Sequence, residues 1–416
     1  MGPPVSADLN PLRRNRAHEF ITRQRAVVLG IIDPTAAPGH PGSVPVIFEG
    51  LHSRRLVYAA TRWVPTMKTF HLGSPDGDAP SIRDFGDLVA RGRRVMRRRF
   101  YALTSTALGR ERRYVRRGIR AYQRSVASGT DSYLLRRNVH RLEKGLTMRP
   151  TRSQFAVDYI GETVDAFYGG VNSGVLAPAH PEFNWMYSVL SSYFQATTSA
   201  THPAIVQSRK VFGESIAALD PGSPASGPHL AAPLSPTVKI DDLHDLATGR
   251  RSVRWFTPEP VARDLVDRAV EVAAESPTAC NRQPYRFEIF DDPVSTAKVA
   301  AIPMGTDGYE HQLPGLIVII GNLAAFFDRR DRHLIYVDGC LAAMGLVYAL
   351  ESQGVNSCCI NWPDLPDREA DMRRLLGMAN YERVVMLIAY GYADPEALVP
   401  FSAKRPVGEI RRYRTL

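Results

Sequence analysis

Three short stretches near the C-terminal end of this 416-residue sequence carry residue types able to do chemistry together. Residues 277–287 read PTACNRQPYRF and crowd hydroxyl, thiol, amide, guanidinium and aromatic groups into one loop. Residues 250–256 read RRSVRWF. Two guanidiniums beside a hydroxyl suit a phosphate, because arginine supplies bidentate charge-assisted donors and serine adds a neutral one. Residues 402–406, SAKRP, add Lys404 and Arg405. Taken singly, each stretch has a bland explanation. Arginine pairs and basic tails are frequent on surfaces, and a turn rich in capping residues accounts for the loop one residue at a time. The four cysteines, at 280, 340, 358 and 359, have no metal-binding spacing and read as reduced thiols.

The elements that must hold these stretches are well marked. A short helix over 241–248 feeds the arginines. Pro258 and Pro260 suit only a first helical turn, and Val261, Leu265, Ala269, Val272 and Ala273 then repeat at helical spacing. A strand over 285–290 follows the loop, and LIVII at 316–320 reads as a buried strand. Residues 334–353 form a long apolar helix closed by Gly354, with Gly339, Ala342, Ala343 and Gly345 leaving room for close packing. Its one interior charge, Asp338, is expected to be a paired structural carboxylate. A strand and turn over 355–362 and a core strand over 384–389 complete the set.

Together the three stretches resemble the flavin site of the nitroreductase family. The run Arg250, Ser252, Arg254 and Phe256 matches the pattern that opens the domain there and holds the flavin phosphate and pyrimidine edge, with Arg251 inside it. Pro277, Thr278, Ala279, Asn281, Gln283 and Tyr285 match the family's flavin loop, with Thr278 for the common serine and Tyr285 for the common tryptophan. The resemblance implies that Asn281 bonds the flavin's polar edge, an amide serving acceptors and donors alike. It places Arg254 where negative charge gathers on reduction, Ile360 and Asn361 beside N5, and Lys404 and Arg405 at the phosphate. Trp362 and Tyr285 would wall the substrate pocket. It also implies an α+β fold over 240–416, with a mainly antiparallel sheet flanked by helices, and a homodimer with two flavins at its interface. FMN would be the cofactor, passing a hydride from NAD(P)H through flavin N5 to a nitro, quinone or related small acceptor. Flavin carries such chemistry, so neither a protein acid–base pair nor a metal is expected. A non-enzymatic flavin-binding or partner-binding protein, linked to polysaccharide assembly, is the competing reading.

Before residue 240 the signals thin out. The length implies more than one domain, and the expected division is a small α/β segment over 1–80, a mainly helical region over 81–218, a Pro/Gly/Ser linker over 219–239, and the flavin-type domain over 240–416. No dinucleotide or P-loop glycine pattern accompanies the early strand candidate at 26–32. The formal net charge of +10 is concentrated: between Arg91 and Arg120 stand twelve arginines and one glutamate, leaving the rest nearly neutral. A solvated face whose stems cover apolar surface explains such a run, and an anionic membrane surface is the alternative partner. Nucleic acid is disfavoured, since no recognised motif or interleaved aromatics accompany the arginines. HRLEKGL at 140–146 resembles a stretch of long nitroreductase-family proteins associated with bacterial polysaccharide gene clusters. Within it His140 and Glu143 read as a surface ion pair rather than a metal pair. Phe183, Trp185, Tyr187 and Tyr193 could border a ligand pocket, although core packing is the commoner use. The first ten residues show no signal-peptide pattern, and the expected location is the cytoplasm, at most peripheral to a membrane.

Overall fold

The computed structural model describes residues 106–129, 132–178, 180–216, 227–230 and 237–416. The strand candidates before residue 60, the arginines at 91–99 and most of the linker lie outside the described residues. Everything described belongs to one compact unit, the one that follows Phe85. Among the described residues, eleven α-helices and one four-stranded sheet make it α+β.

Five helices come first: α1 (Thr106–Ala127), α2 (Ser132–Leu146), α3 (Ile160–Asn172), α4 (Pro181–Ala196) and α5 (Pro203–Ile216). Helices α2 to α5 enclose a core of their own, built on Leu142, Phe167, Phe183, Leu190, Tyr193 and Phe212. Phe183 and Tyr193 are fully buried there and Trp185 and Tyr187 pack against them, so the aromatic group is core. In HRLEKGL, Glu143 accepts from the Trp185 indole at 3.3 Å and faces His140 Nδ1 at 3.4 Å. Gly145 is required by close packing, since a Cβ would lie 2.3 Å from the Phe155 ring.

The sheet follows, with strands β1 (Tyr285–Phe290), β2 (Gly315–Asn322), β3 (Asn356–Ile360) and β4 (Glu382–Gly391) in the order β1-β2-β4-β3, every pair antiparallel. Around it lie α6 (Ile240–Gly249), α7 (Arg263–Ala274), α8 (Pro293–Ala300), α9 (Leu334–Ser352), α10 (Pro366–Leu376) and α11 (Val407–Ile410). Alternation along β2 sends Leu316, Val318 and Ile320 to a layer with Val299 of α8 and Met372 of α10. Ile317 and Ile319 face the opposite layer, with Ala269 of α7 and Leu346 of α9. Helices cover both faces, which is why LIVII is apolar at every position. Each such buried side chain contributes about 1.5–3 kcal/mol. A bulge opposite Ile319 and Ile320 leaves Val385 unpaired in register, so Val384 and Leu387 share one face while Val385 and Ile388 share the other.

One boundary differs from expectation. Helix α7 starts at Arg263 after Ala262, so Pro258 and Pro260 precede it instead of forming its first turn. A residue before proline favours extended backbone, and Phe256 bridges to Ala393 just upstream, which holds the chain extended there.

Helix α1 docks on the sheet-bearing part through Val115, which joins Leu323, Ala325, Phe326 and Ile335 in a shared apolar cluster. Gly118 allows this approach, because a Cβ there would sit 2.7 Å from the Leu323 Cβ and carbonyl oxygen. Gly118→Ala should therefore cost about 1–3 kcal/mol through overpacking. Gly109→Ala, on the same helix with nothing within 4 Å of its Cβ, should gain up to about 1 kcal/mol from helix propensity. Denaturant midpoints of the two variants check the contrast; equal shifts would contradict the docking geometry.

Candidate functional site

The loop at 277–283 is a tightly wound turn. Cys280, Asn281 and Gln283 all have φ near +50°, a left-handed conformation unusual for residues other than glycine. Side chains and backbone within the turn hold it. Thr278 Oγ1 accepts from the Gln283 amide at 3.1 Å, its carbonyl accepts from the Asn281 amide at 3.1 Å, and Gln283 Nε2 donates to Asn281 Oδ1 at 3.0 Å. Strain of this kind persists only where surroundings over-determine it, and it gathers at ligand sites. Pro277 is exposed, and Thr278, Ala279, Asn281 and Gln283 are half-buried.

Asp338 is not ion-paired among the described residues. It is buried on α9 and its Oδ2 accepts the Ala279 amide at 3.2 Å, so this carboxylate anchors the turn from below. A buried acceptor for a loop amide, rather than a partner for a cation, is what corrects the expectation from sequence. Burial pushes its carboxyl above the usual range, against the pull of the Ala279 amide and of Arg282.

The phosphate-type residues meet elsewhere. Thr248, Arg250, Arg251 and Ser252 line a cleft of about 400 Å³ together with Phe401, Ser402 and Lys404 from the far end of the chain. None of its three cations is ion-paired among the described residues. Arg251 donates to the carbonyls of Thr248 and Arg250, closing the end of α6. The side chains of Arg250 and Lys404 form no such bonds among the described residues. This donor set fits a phosphate dianion: two guanidiniums, an ammonium and a hydroxyl converge on one concavity. Arg405 is exposed and does not line the cleft.

Ser252 bridges in parallel to Ser357, so the arginine run travels beside β3 toward Ile360 and Asn361. Gln312 secures the run further on, donating to the Arg254 carbonyl and accepting the Phe256 amide at 3.0 Å. Arg254 itself is exposed and lies near Tyr309, whose phenol burial and Cys358 hold above its ordinary value against the pull of that guanidinium. Ile360 is buried and Asn361 exposed. Trp362 belongs to the layer under α8 and α10, where its Nε1 donates to Glu369 at 3.1 Å. Tyr285 packs in the layer of α7 and α9. The two aromatics proposed for one pocket thus sit in opposite layers of the sheet.

Helix α9 relates the two halves. Near its start Asp338 holds Ala279, and the Leu341 carbonyl accepts from Ser276 Oγ at 3.3 Å. Near its end the carboxyl of Glu351, raised by burial, is drawn back down by Asn356, Arg250 and Arg251. From Asp338 to Glu351 is about 20 Å along the axis. One chain therefore carries the turn and the phosphate-type cleft at opposite ends of α9. Three contributors escaped notice in the sequence: Gln312, Arg282 and Arg136, the last two described below. Gln312 and Arg136 act on partners remote in the chain, and Arg282 stacks on Phe326, 44 residues on; nothing local marks these contacts.

A model of the nitroreductase family matches residues 247–306 and 310–392. Among curated relatives, iodotyrosine deiodinase 1 of Homo sapiens is 25% identical over 200 residues, covering 41% of this chain and 68% of its own. An NADH dehydrogenase of Thermus thermophilus is 25% identical over 191 residues, covering 38% and 91%. A putative NAD(P)H nitroreductase of Bacillus subtilis is 22% identical over 214 residues, covering 42% and 100%. Among solved structures, a nitroreductase family protein from Streptococcus pneumoniae TIGR4 shares 24% identity with a TM-score of 0.36, over 41% of this chain and 100% of its own.

The raised Asp338 carboxyl gives a pH prediction. The folded state binds this proton more tightly than the unfolded chain, so the group lowers stability as pH climbs from the unfolded value through the folded one. Asp338→Asn keeps an acceptor for the Ala279 amide and removes that titration. It should be at least as stable as wild type at pH 7, with the difference shrinking toward pH 4. Asp338→Leu leaves the amide without a partner and should lose about 1–3 kcal/mol. Urea midpoints across pH test both; a gap for Asp338→Asn that is unchanged at pH 4 would contradict the assignment.

Proposed function

We propose, from the match of residues 247–306 and 310–392 to the nitroreductase family, an FMN-dependent oxidoreductase that takes a hydride from NAD(P)H and delivers it to a small nitro, quinone or related acceptor. One observation carries the reading: Arg250, Ser252 and Lys404, remote in sequence, line one cleft whose cations have no ion-pair partner among the described residues. Bound there, FMN would supply the two-electron chemistry of the reaction. The chain's own tasks are binding and orientation. Arg250 and Lys404 hold the phosphate, Ser252 adds a neutral donor, and the turn at 277–283 presents amide groups to the ring edge.

The site is proposed to form between two copies. The turn and the cleft lie at opposite ends of α9 within one chain, and Val337, Leu341 and Met344 make an apolar stripe between them, 51%, 45% and 38% exposed. From Leu398 onward every residue is exposed, including Phe401, Ile410 and Tyr413. A twofold pairing along α9 would cover the stripe and bring the cleft of one copy to the turn of the other.

FMN fluorescence quenching tests the cleft. Arg250→Ala removes a charge-assisted contact of about 1.5–3 kcal/mol, so affinity should fall roughly ten- to hundredfold. Leu341→Glu should yield a monomer with weak flavin binding; a monomer that binds FMN as tightly as wild type would sink the two-copy site.

The outward face of α1 presents Arg112, Arg113, Arg116, Arg117, Arg120 and Arg124, none ion-paired among the described residues. Like charges at i,i+4 are mutually destabilising, and the apolar side of the helix is already used in docking. We assign this face to peripheral contact with an anionic membrane surface. Binding to phosphatidylserine vesicles should weaken about fivefold per arginine changed to glutamine. Loss of binding in neutral vesicles but not in these is the expected pattern, and equal binding to both would contradict it.

A further inference from the structure

Besides the docking of α1, the helical region before residue 220 meets the sheet-bearing part at the left-handed turn. Helix α2 lies against residues 279–281. Arg136 Nη1 donates to the Arg282 carbonyl at 3.0 Å, while Arg136 Nε donates to Glu182 of α4. Both partners of that ion pair are largely covered, at 19% and 23% exposure. One guanidinium thus bridges α4, α2 and the turn. Lysine lacks the planar fork to do this, since its ammonium is a point donor.

The carbonyl that Arg136 holds is the informative one. It belongs to the peptide between Arg282 and Gln283, whose other side, the Gln283 amide, donates to Thr278 Oγ1. A peptide unit is planar, with its carbonyl and N–H pointing oppositely. Pulling the carbonyl outward toward α2 therefore aims the N–H inward across the turn. The plane is pinned at both ends, just before the left-handed Gln283. Arg282 reinforces it from the same side. Its guanidinium is buried without an ion pair among the described residues, bonds back to the Ala279 carbonyl at 3.0 Å and stacks on Phe326 at 5.2 Å. Neighbouring α2 residues extend the contact. Arg137 stacks on Phe327 at 4.4 Å, and the Tyr133 hydroxyl accepts from Asn322, whose amide binds the Pro284 carbonyl.

We infer that Arg136 is a positioning residue for the flavin turn: the helical region sets the conformation of the cofactor loop and is an integral part of that site. The inference rests on the flavin reading above, and its test separates the two. In full-length protein without flavin, amide hydrogen exchange over 278–284 should quicken at least tenfold in Arg136→Ala, while β2 and α9 exchange as in wild type. FMN affinity should fall about tenfold, with the visible band of the bound flavin moving toward that of free FMN. Arg136→Lys should recover part of both, as one donor of the fork is kept. Unchanged exchange in the turn, or loosening spread evenly through β2 and α9, would overturn the inference whatever FMN does. Wild-type protein that binds no FMN would overturn the flavin reading, and with it the positioning role, even if the exchange result held.

Discussion

Helix α9 is apolar around its whole circumference, and a helix of that kind cannot stand free in water. By length and composition its region, 329–352, would suffice to cross a bilayer, yet half of the apolar window is already buried within the protein. Nine of its residues are buried, most of them against β2, α7 and the neighbouring strands. The rest of the architecture follows from satisfying this one element. The sheet covers one side, α7 closes another, the turn hangs from Asp338 at one end, and the arginine run approaches Glu351 at the other. What remains uncovered is the stripe of Val337, Leu341 and Met344, and the proposed second copy answers that remainder.

The turn is the structure's most constrained stretch, and its constraints arrive from three directions. Thr278 and Gln283 tie it internally, Asp338 ties it to α9, and Arg136 ties it to α2. Left-handed conformations at Cys280 and Gln283 are costly for such side chains, so removing one tie leaves the others holding a strained loop. The helical region is thereby engaged at the point where the fold stores strain. A deletion that removed it would expose Phe326 and Phe327 and release the Arg282 carbonyl together.

Much of the fold was legible because the deciding interactions are local. LIVII reads as a buried strand, Gly354 ends its helix at positive φ, and the strand at 285–290 falls where expected. Pro258 and Pro260 misled because a distant bridge, Phe256 to Ala393, decides the backbone there. Asp338 misled for a related reason: sequence shows the charge but not that its partner is an amide 59 residues earlier. Of the candidate site, the residue types of the two half-sites could be read, and the separation of those halves along α9 could not. Tyr285 opens β1 and Trp362 follows β3, and their places in different layers come from tertiary packing that periodicity does not encode.

The central claim is that this chain binds a flavin which NAD(P)H reduces. An anaerobic absorbance titration of the purified, FMN-loaded full-length protein with NADPH, repeated with NADH, tests it most directly. The expected result is a visible flavin band that bleaches stoichiometrically with one of the two donors. Protein that cannot be loaded with FMN, or a bound flavin that neither donor bleaches, would contradict it.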